Sequence, residues 1–271
     1  MFAETGSTFN FRLKSVYESG SFVESTERTD NPASSVARLA VLIPARRSTP
    51  ALTPLVDALM DAGFGAVIVV DDGSPAGDQA AFAALDGKQR VHLIRHAFNL
   101  GKGRALKTGI NFFLKAFPEF LGLITADADG QHTASDIVRV GEALVGHPER
   151  AVLGARSFAG EVPLRSQFGN ALTRLLFRIA SGSAMKDTQS GLRGFPTALL
   201  AGLAELGGER YEYEMNVLAH LCRHGHAPLE VPISTIYLDE NRSSHFEPVR
   251  DSMRIGLVLL GNFASSLRAE E

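Results

Sequence analysis

Two short, uninterrupted apolar runs, Leu39-Ala40-Val41-Leu42-Ile43 and Ala66-Val67-Ile68-Val69-Val70, constrain this chain more than any other feature. A strand with one face in water alternates apolar and polar residues, so an unbroken run reads as a strand covered on both faces. Between the runs, Leu55, Ala58, Leu59 and Ala62 recur at helical spacing, with Thr53 as a candidate N-cap, Pro54 in the first turn and Gly63 as the stop. Strand, helix, strand predicts a parallel βαβ unit. The rhythm continues with a helix over 78–85, a strand over 91–95, a helix over 102–117, a strand over 122–126, a helix capped by Ser135 and a short strand over 151–154. The expected fold class is α/β, built on an open sheet.

Beyond Arg156 the pattern changes. Phe168, Leu172, Leu175, Leu176 and Ile179 predict a helix with Arg174 and Arg178 on its other side. That helix suits an ordinary surface or a basic amphipathic face resting on a membrane. A helix over 212–224, a strand over 229–236, a polar loop over 239–245 and a last helix from Arg250 follow. With no repeat or convincing linker, the expected organisation is a leader over 1–36, one catalytic domain over 37–249 and an amphipathic tail over 250–271.

Composition removes several function classes. A net charge of -3 supplies no global basic field, so nucleic acid is not an expected partner. The one cysteine, Cys222, sits in an apolar helical pattern, which excludes a disulfide framework and fits a packing role in a reducing compartment. Residues 1–36 lack the basic start and apolar core of a signal peptide. The longest late apolar stretch, 255–260, is interrupted by Gly261 and Asn262, short of a bilayer span. A cytoplasmic protein that can lie on a membrane without crossing it alone is the expectation.

In open α/β sheets, ligands bind beyond the carboxyl ends of the strands. Three strands here should end in polar loops at one crevice: Pro44-Ala45-Arg46-Arg47, Asp71-Asp72-Gly73-Ser74 and Asp127-Ala128-Asp129. Asp127 and Asp129 are two apart, so extended backbone would turn both carboxylates to one side. Such a pair suits a simple turn, or Mg2+ or Mn2+ shared with substrate phosphates, with Gln131 as a further oxygen. Asp72-Gly73 suits a turn equally, or an acceptor for a base or ribose. Asn99-Leu100-Gly101-Lys102-Gly103 opens a helix and predicts an anion site, although it matches neither the P-loop nor the dinucleotide fingerprint.

Five blocks in order, Val41-Leu42-Ile43-Pro44, Val70-Asp71-Asp72-Gly73-Ser74, Asn99-Leu100-Gly101-Lys102-Gly103, Asp127-Ala128-Asp129-Gly130-Gln131-His132 and Asp187-Thr188-Gln189-Ser190-Gly191-Leu192-Arg193-Gly194-Phe195, resemble the family 2 glycosyltransferases. Within that family the pattern is similar to the dolichyl- and polyprenyl-phosphate mannosyl- and glucosyltransferases. The resemblance implies a GT-A, nucleotide-diphospho-sugar transferase fold, with a mixed, mostly parallel sheet flanked by helices. It implies inverting transfer of a hexose from a UDP- or GDP-linked nucleotide sugar to a polyprenyl phosphate, with Mg2+ or Mn2+, at the inner membrane face. Asp127, Asp129 and Gln131 would hold the metal. Pro44, Arg46, Asp71, Asp72, Lys102, Asp127 and Ala128 would hold the nucleotide sugar, with Arg242 and His245 in the role of a lid. Arg156 and Arg165 would face the acceptor phosphate and join Asp127 and Asp129 in catalysis. Arg193 and the block Tyr211-Glu212-Tyr213-Glu214 fit a region that shapes the acceptor side.

Many relatives continue into transmembrane helices, so a membrane-protein partner is a further expectation. A hydroxyl acceptor would instead need a base, for which Glu212, Glu214 and His132 are candidates. A nucleotidyltransferase should carry a glycine-rich basic loop after its first strand, and Ala45-Arg46-Arg47-Ser48 has no glycine. A nonenzymatic nucleotide-sugar binding subunit would have no use for the intact Asp-Ala-Asp-Gly-Gln-His block.

Overall fold

The computed structural model describes residues 35–47, 49–156, 177–178, 185 and 187–234. The expected leader up to residue 34, most of the helix over 168–179, the loop over 239–245 and the helix from Arg250 lie outside the described residues, as do Arg165, Arg242 and His245.

Chain order is β1 (Leu39–Ala45), α1 (Leu52–Asp61), β2 (Ala66–Asp71), a 3-10 turn (Ala76–Asp78), α2 (Gln79–Ala83), β3 (Val91–Arg95), α3 (Lys102–Ala116), β4 (Gly122–Thr125), α4 (Ala134–Gly146), β5 (Val152–Arg156), β6 (Arg193–Pro196), α5 (Thr197–Glu205), α6 (Glu212–Arg223) and β7 (Leu229–Ile233). Among the described residues the strands form one seven-stranded sheet in the order β3-β2-β1-β4-β6-β5-β7. β1 pairs in parallel with β2 and β4, and β2 with β3. β6 runs antiparallel to both neighbours, and β5 is parallel to β7. The sheet is therefore mixed and mostly parallel.

Burial explains the unbroken apolar runs. Leu39, Val41, Ile43 and Ala45 of β1 enter one core, with Val67 and Val69 of β2, Leu55 and Leu59 of α1, and Ile137 and Val140 of α4. Ala40 and Leu42 enter the opposite core, with Ile68 and Val70 of β2, Ile110 and Phe113 of α3, Leu203 of α5 and Val217 of α6. Period-two alternation thus divides each strand between two apolar faces. Cys222 is buried in a third cluster beside Met215, Leu218 and Phe177, where it packs as a small apolar residue.

Local chemistry departs from the sequence reading at three points. α1 starts at Leu52, behind Ala51, so Thr53 lies inside the helix and does not cap it. Thr133, not Ser135, caps α4: its Oγ1 accepts the Asp136 N–H at 3.1 Å. β6 and α5 are additions, and β6 is four residues containing one glycine and one proline, a poor strand signal in sequence. No described helix is long and apolar enough to cross a membrane.

Candidate active site

The three expected strand-end loops lie together and are laced by hydrogen bonds. Ser74 Oγ donates to the Arg46 carbonyl at 2.5 Å, and Thr49 Oγ1 donates to the Ala128 carbonyl at 2.5 Å. Arg46 is exposed and Pro44 half-buried. Asp71 Oδ1 accepts the Ser74 N–H at 2.9 Å, closing the turn after β2.

Asp72 faces inward. Its Oδ1 accepts the Leu100 N–H at 2.9 Å and lies 2.8 Å from His96 Nδ1, and its Oδ2 accepts the Gly101 N–H at 2.8 Å. Both oxygens thereby order the loop ahead of α3. Gly101 has φ +107, and a Cβ there would lie 2.3 Å from the Glu209 carbonyl, so only glycine lets this loop pass so close to the α6 approach. Glu209 O also accepts the Arg104 N–H at 3.0 Å. The start of α3 is thus tied to the protein's own carbonyl and carboxylate groups, and what it offers the crevice is Lys102.

Lys102 is held between two carboxylates, with Nζ 2.7 Å from Asp127 Oδ1 and 2.8 Å from Glu214 Oε2. Burial opposes its charge, but Asp127 and Glu214 outweigh burial and hold the ammonium above the usual lysine range. Burial likewise opposes ionisation of Asp127, and Lys102 with His132 overcomes it, drawing that carboxyl well below the usual range. Asp129 moves the other way: burial and then the charge of Asp127 push its pKa up, partly offset by the Gln131 N–H, which Oδ1 accepts at 3.0 Å. His132 is buried, neither ring nitrogen has a hydrogen-bond partner, and Nε2 lies 3.6 Å from Asp127 Oδ2.

A segment from the far side of the sheet closes on Asp127. Thr125 Oγ1 donates to the Gly191 carbonyl at 2.9 Å, and a Cβ at Gly191 would stand 2.4 Å from Asp127 Oδ2. Arg193 is buried and gives Nε to Ser190 O at 2.9 Å and Nη1 to Glu214 O at 2.6 Å. Burial lowers its pKa, and its donors serve to tie the 187–193 segment to α6. Arg156 forms a fork on buried Asp187, Nε to Oδ2 at 2.7 Å and Nη2 to Oδ1 at 3.1 Å. Burial would raise the Asp187 pKa, and the Arg156 hydrogen bonds and charge carry it below the usual carboxylate value.

The structure therefore gathers Lys102, Asp127, Asp129 and Gln131 at one place and puts Asp71, Asp72, Pro44, Arg46 and Ala128 in the adjoining strand-end loops. Two groups gain roles that sequence reasoning did not give them. Glu214 pairs with Lys102, whereas Glu212 caps backbone, accepting the Glu209 and Arg210 N–H groups at 3.2 Å each. Asp187 orients Arg156. The Asp187–Phe195 block pointed to the segment, but no spacing reveals a pairing across 31 residues.

The donors present fit a hard divalent cation. Asp127 and Asp129 are two carboxylates close enough for one to raise the other, a repulsion that a cation relieves. Among the described residues no three His, Cys, Asp or Glu side chains form a metal-holding group; Mg2+ is commonly held by one or two carboxylates together with water and substrate phosphates.

Comparison with known proteins gives the family and the fold. An uncharacterized protein of Methanocaldococcus jannaschii is 32% identical over 208 residues, covering 75% of this chain and 83% of that protein. The UDP-N-acetylglucosamine–dolichyl-phosphate N-acetylglucosaminyltransferase of Methanococcus voltae is 29% identical over 218 residues, covering 73% of this chain and 86% of that protein. Among solved structures, glucosyl-3-phosphoglycerate synthase of Mycobacterium tuberculosis superposes with a TM-score of 0.62 at 17% identity, over 89% of this chain and 86% of that one. The fold is GT-A. The model of glycosyl transferase family 2 matches residues 40–202, from β1 into α5, and the chain is accordingly a transferase belonging to that family.

Proposed function

We propose that the protein transfers a sugar from a nucleotide sugar to a polyprenyl phosphate, with inversion at the anomeric carbon, at the inner face of a membrane. The observation that carries this reading is the engagement of the candidate bases. Glu214 is paired with Lys102, Glu212 accepts the Glu209 and Arg210 N–H groups ahead of α6, and His132 is buried with Nε2 3.6 Å from Asp127 Oδ2. An acceptor that must lose a proton needs a base, whereas a lipid phosphate is already anionic. The Methanococcus voltae relative, named for dolichyl phosphate as acceptor and UDP-N-acetylglucosamine as donor, supports the same acceptor class.

In this reading Asp127 and Asp129 hold a divalent cation with Gln131, and the glucosyl-3-phosphoglycerate synthase of like fold was crystallised with Mn2+ and UDP-glucose. The cation supplies Lewis-acid neutralisation of charge on the departing diphosphate. Asp71 and Asp72 shape the base and ribose side, with Pro44, Arg46 and Ala128 lining it. Lys102 attracts the diphosphate. Arg156, aimed by its fork on Asp187, orients the acceptor phosphate together with Arg165, and Arg242 and His245 close over the donor.

The test is incubation of the protein with UDP- and GDP-sugars, Mg2+ or Mn2+, and either a short polyprenyl phosphate or a matched polyprenol. Product with the phosphate alone, lost about a thousandfold in Asp129→Ala, is expected. Transfer to the alcohol, or equal transfer by Asp129→Ala, overturns the acceptor or the metal assignment respectively.

A further inference from the structure

Lys102 has partners on two other elements. It stands in the first turn of α3, Asp127 follows β4, and Glu214 is in the first turn of α6. Its ammonium lies 2.7 Å from Asp127 Oδ1 and 2.8 Å from Glu214 Oε2, so a positive charge already rests on one carboxylate of the proposed cation site. The placement is firmly built. Gly101, immediately before it, is fixed by Asp72 Oδ2 at 2.8 Å. The Glu214 backbone oxygen accepts Arg193 Nη1 at 2.6 Å, and Arg104 N donates to Glu209 O at 3.0 Å, pinning α3 to the approach of α6.

We infer that Lys102 is a resident counter-ion of Asp127 that competes with the divalent cation, and that Glu214 is a positioning residue that sets the strength of this competition. The inference rests on the metal-dependent reading above and goes beyond it by assigning a role to Glu214. Two cations on one carboxylate repel, so the bare protein binds the metal weakly. Glu214 draws the ammonium toward α6 and adds negative charge, which favours the metal. An incoming diphosphate gives Lys102 another anionic partner and releases Asp127, so donor and cation strengthen each other's binding, as linkage requires. The lysine thereby keeps Asp127 paired until the donor arrives.

The test is calorimetric titration of Mn2+ alone into the full chain and into Lys102→Met, Lys102→Arg and Glu214→Gln, each first checked for an unchanged circular dichroism spectrum. Removing a unit charge about 6 Å from a dication alters its binding roughly tenfold even with water-like screening. Lys102→Met should therefore bind Mn2+ about tenfold tighter or more, Glu214→Gln about tenfold weaker, and Lys102→Arg close to wild type. Opposite shifts in the two variants are the signature, because general structural damage would weaken both. If wild type binds Mn2+ and Lys102→Met binds no tighter, the competition is overturned while the metal site stands. If none of the four proteins binds Mn2+, the metal assignment falls and the inference with it. Should Lys102→Met fail to fold, Glu214→Gln decides alone, since unchanged or tighter binding would contradict the role given to Glu214.

Discussion

The two sides of the sheet are held together in different ways. β3, β2, β1 and β4 form a parallel set whose inner strands are apolar on both faces, and their cohesion comes from backbone ladders and packed side chains. On the other side, β6 meets β5 over only two residue pairs, Val152 with Gly194 and Leu153 with Arg193. There, side-chain polar links add to the ladders of β6 with β4 and β5 with β7: Arg156 on Asp187, Arg193 on the Ser190, Thr188 and Glu214 carbonyls, and the Ser234 N–H on Asp136. The active site straddles the border, taking Asp127 and Lys102 from the first side and Gly191 and Glu214 from the second. A frame of parallel strands thus carries Asp127 and Lys102, and a polar-stitched flap of structure is laid across them.

The largest expected effect tests that stitching. Asp187→Ala leaves two Arg156 side-chain donors and the Gln189 N–H, which Asp187 Oδ1 accepts at 3.0 Å, without their acceptor. Breaking a fully buried pair costs about 3–5 kcal/mol and an exposed one about 0–1; with Asp187 buried and the Arg156 side chain 25% exposed, a cost of about 3 kcal/mol is expected here. Asp57→Ala, which removes the exposed pair with Lys88, is the control, and urea unfolding followed by circular dichroism reads both. Equal costs would erase the contrast between the two sides. The pH dependence has a definite sign. Because the Asp187 pKa is lowered on folding, its contribution is complete above the ordinary carboxylate value of about 3.9 and is lost as pH falls through the lowered folded value. The stability gap between wild type and Asp187→Asn should therefore narrow below about pH 4 and be flat above about pH 5.

The same contrast governs what the sequence could reveal. β1 and β2 were legible because two-sided burial leaves an unbroken apolar run, and Asp127 and Asp129 because they end such a strand. β6 was not, since Arg193-Gly194-Phe195-Pro196 carries no strand pattern and is a strand only because Thr125 and Leu153 bracket it. The Lys102, Glu214 and Asp187 pairings were illegible for a related reason: they join residues that are 25 or more positions apart, and charge pairing across a fold leaves no local period. The requirement for glycine at 101 was illegible for the same reason: it comes from the close approach of the Glu209 carbonyl, 108 positions on, as well as from the positive φ.

A second, smaller effect probes the border itself. Gly191→Ala puts a methyl group 2.4 Å from Asp127 Oδ2, and Asp127 cannot simply yield because Lys102 holds its other oxygen. Displacements of this size at reacting centres cost up to about a hundredfold. Sugar transfer by Gly191→Ala should fall about ten- to a hundredfold, equivalent to about 1.4–2.7 kcal/mol of transition-state stabilisation. Unimpaired transfer would mean that the flap does not bear on Asp127 and that the two sides meet only through the backbone.

The smallest effect asks whether the polar-stitched side unfolds with the frame or ahead of it. Gly202 lies on the exposed face of α5, and a Cβ there meets no atom within 4 Å. Alanine at such a position should stabilise by about 0.5–1 kcal/mol, because glycine loses more backbone freedom on entering a helix. Leu200 and Leu203 of α5 enter the same core as Ile68 and Val70 of β2, which couples the helix to the frame by packing. Global urea unfolding of Gly202→Ala should therefore shift by the full amount. A gain confined to hydrogen exchange of the α5 amides, with the global midpoint unmoved, would show instead that this side opens as a separate unit. Apolar packing against β2 would then be too weak to make the second side share the cooperativity of the first.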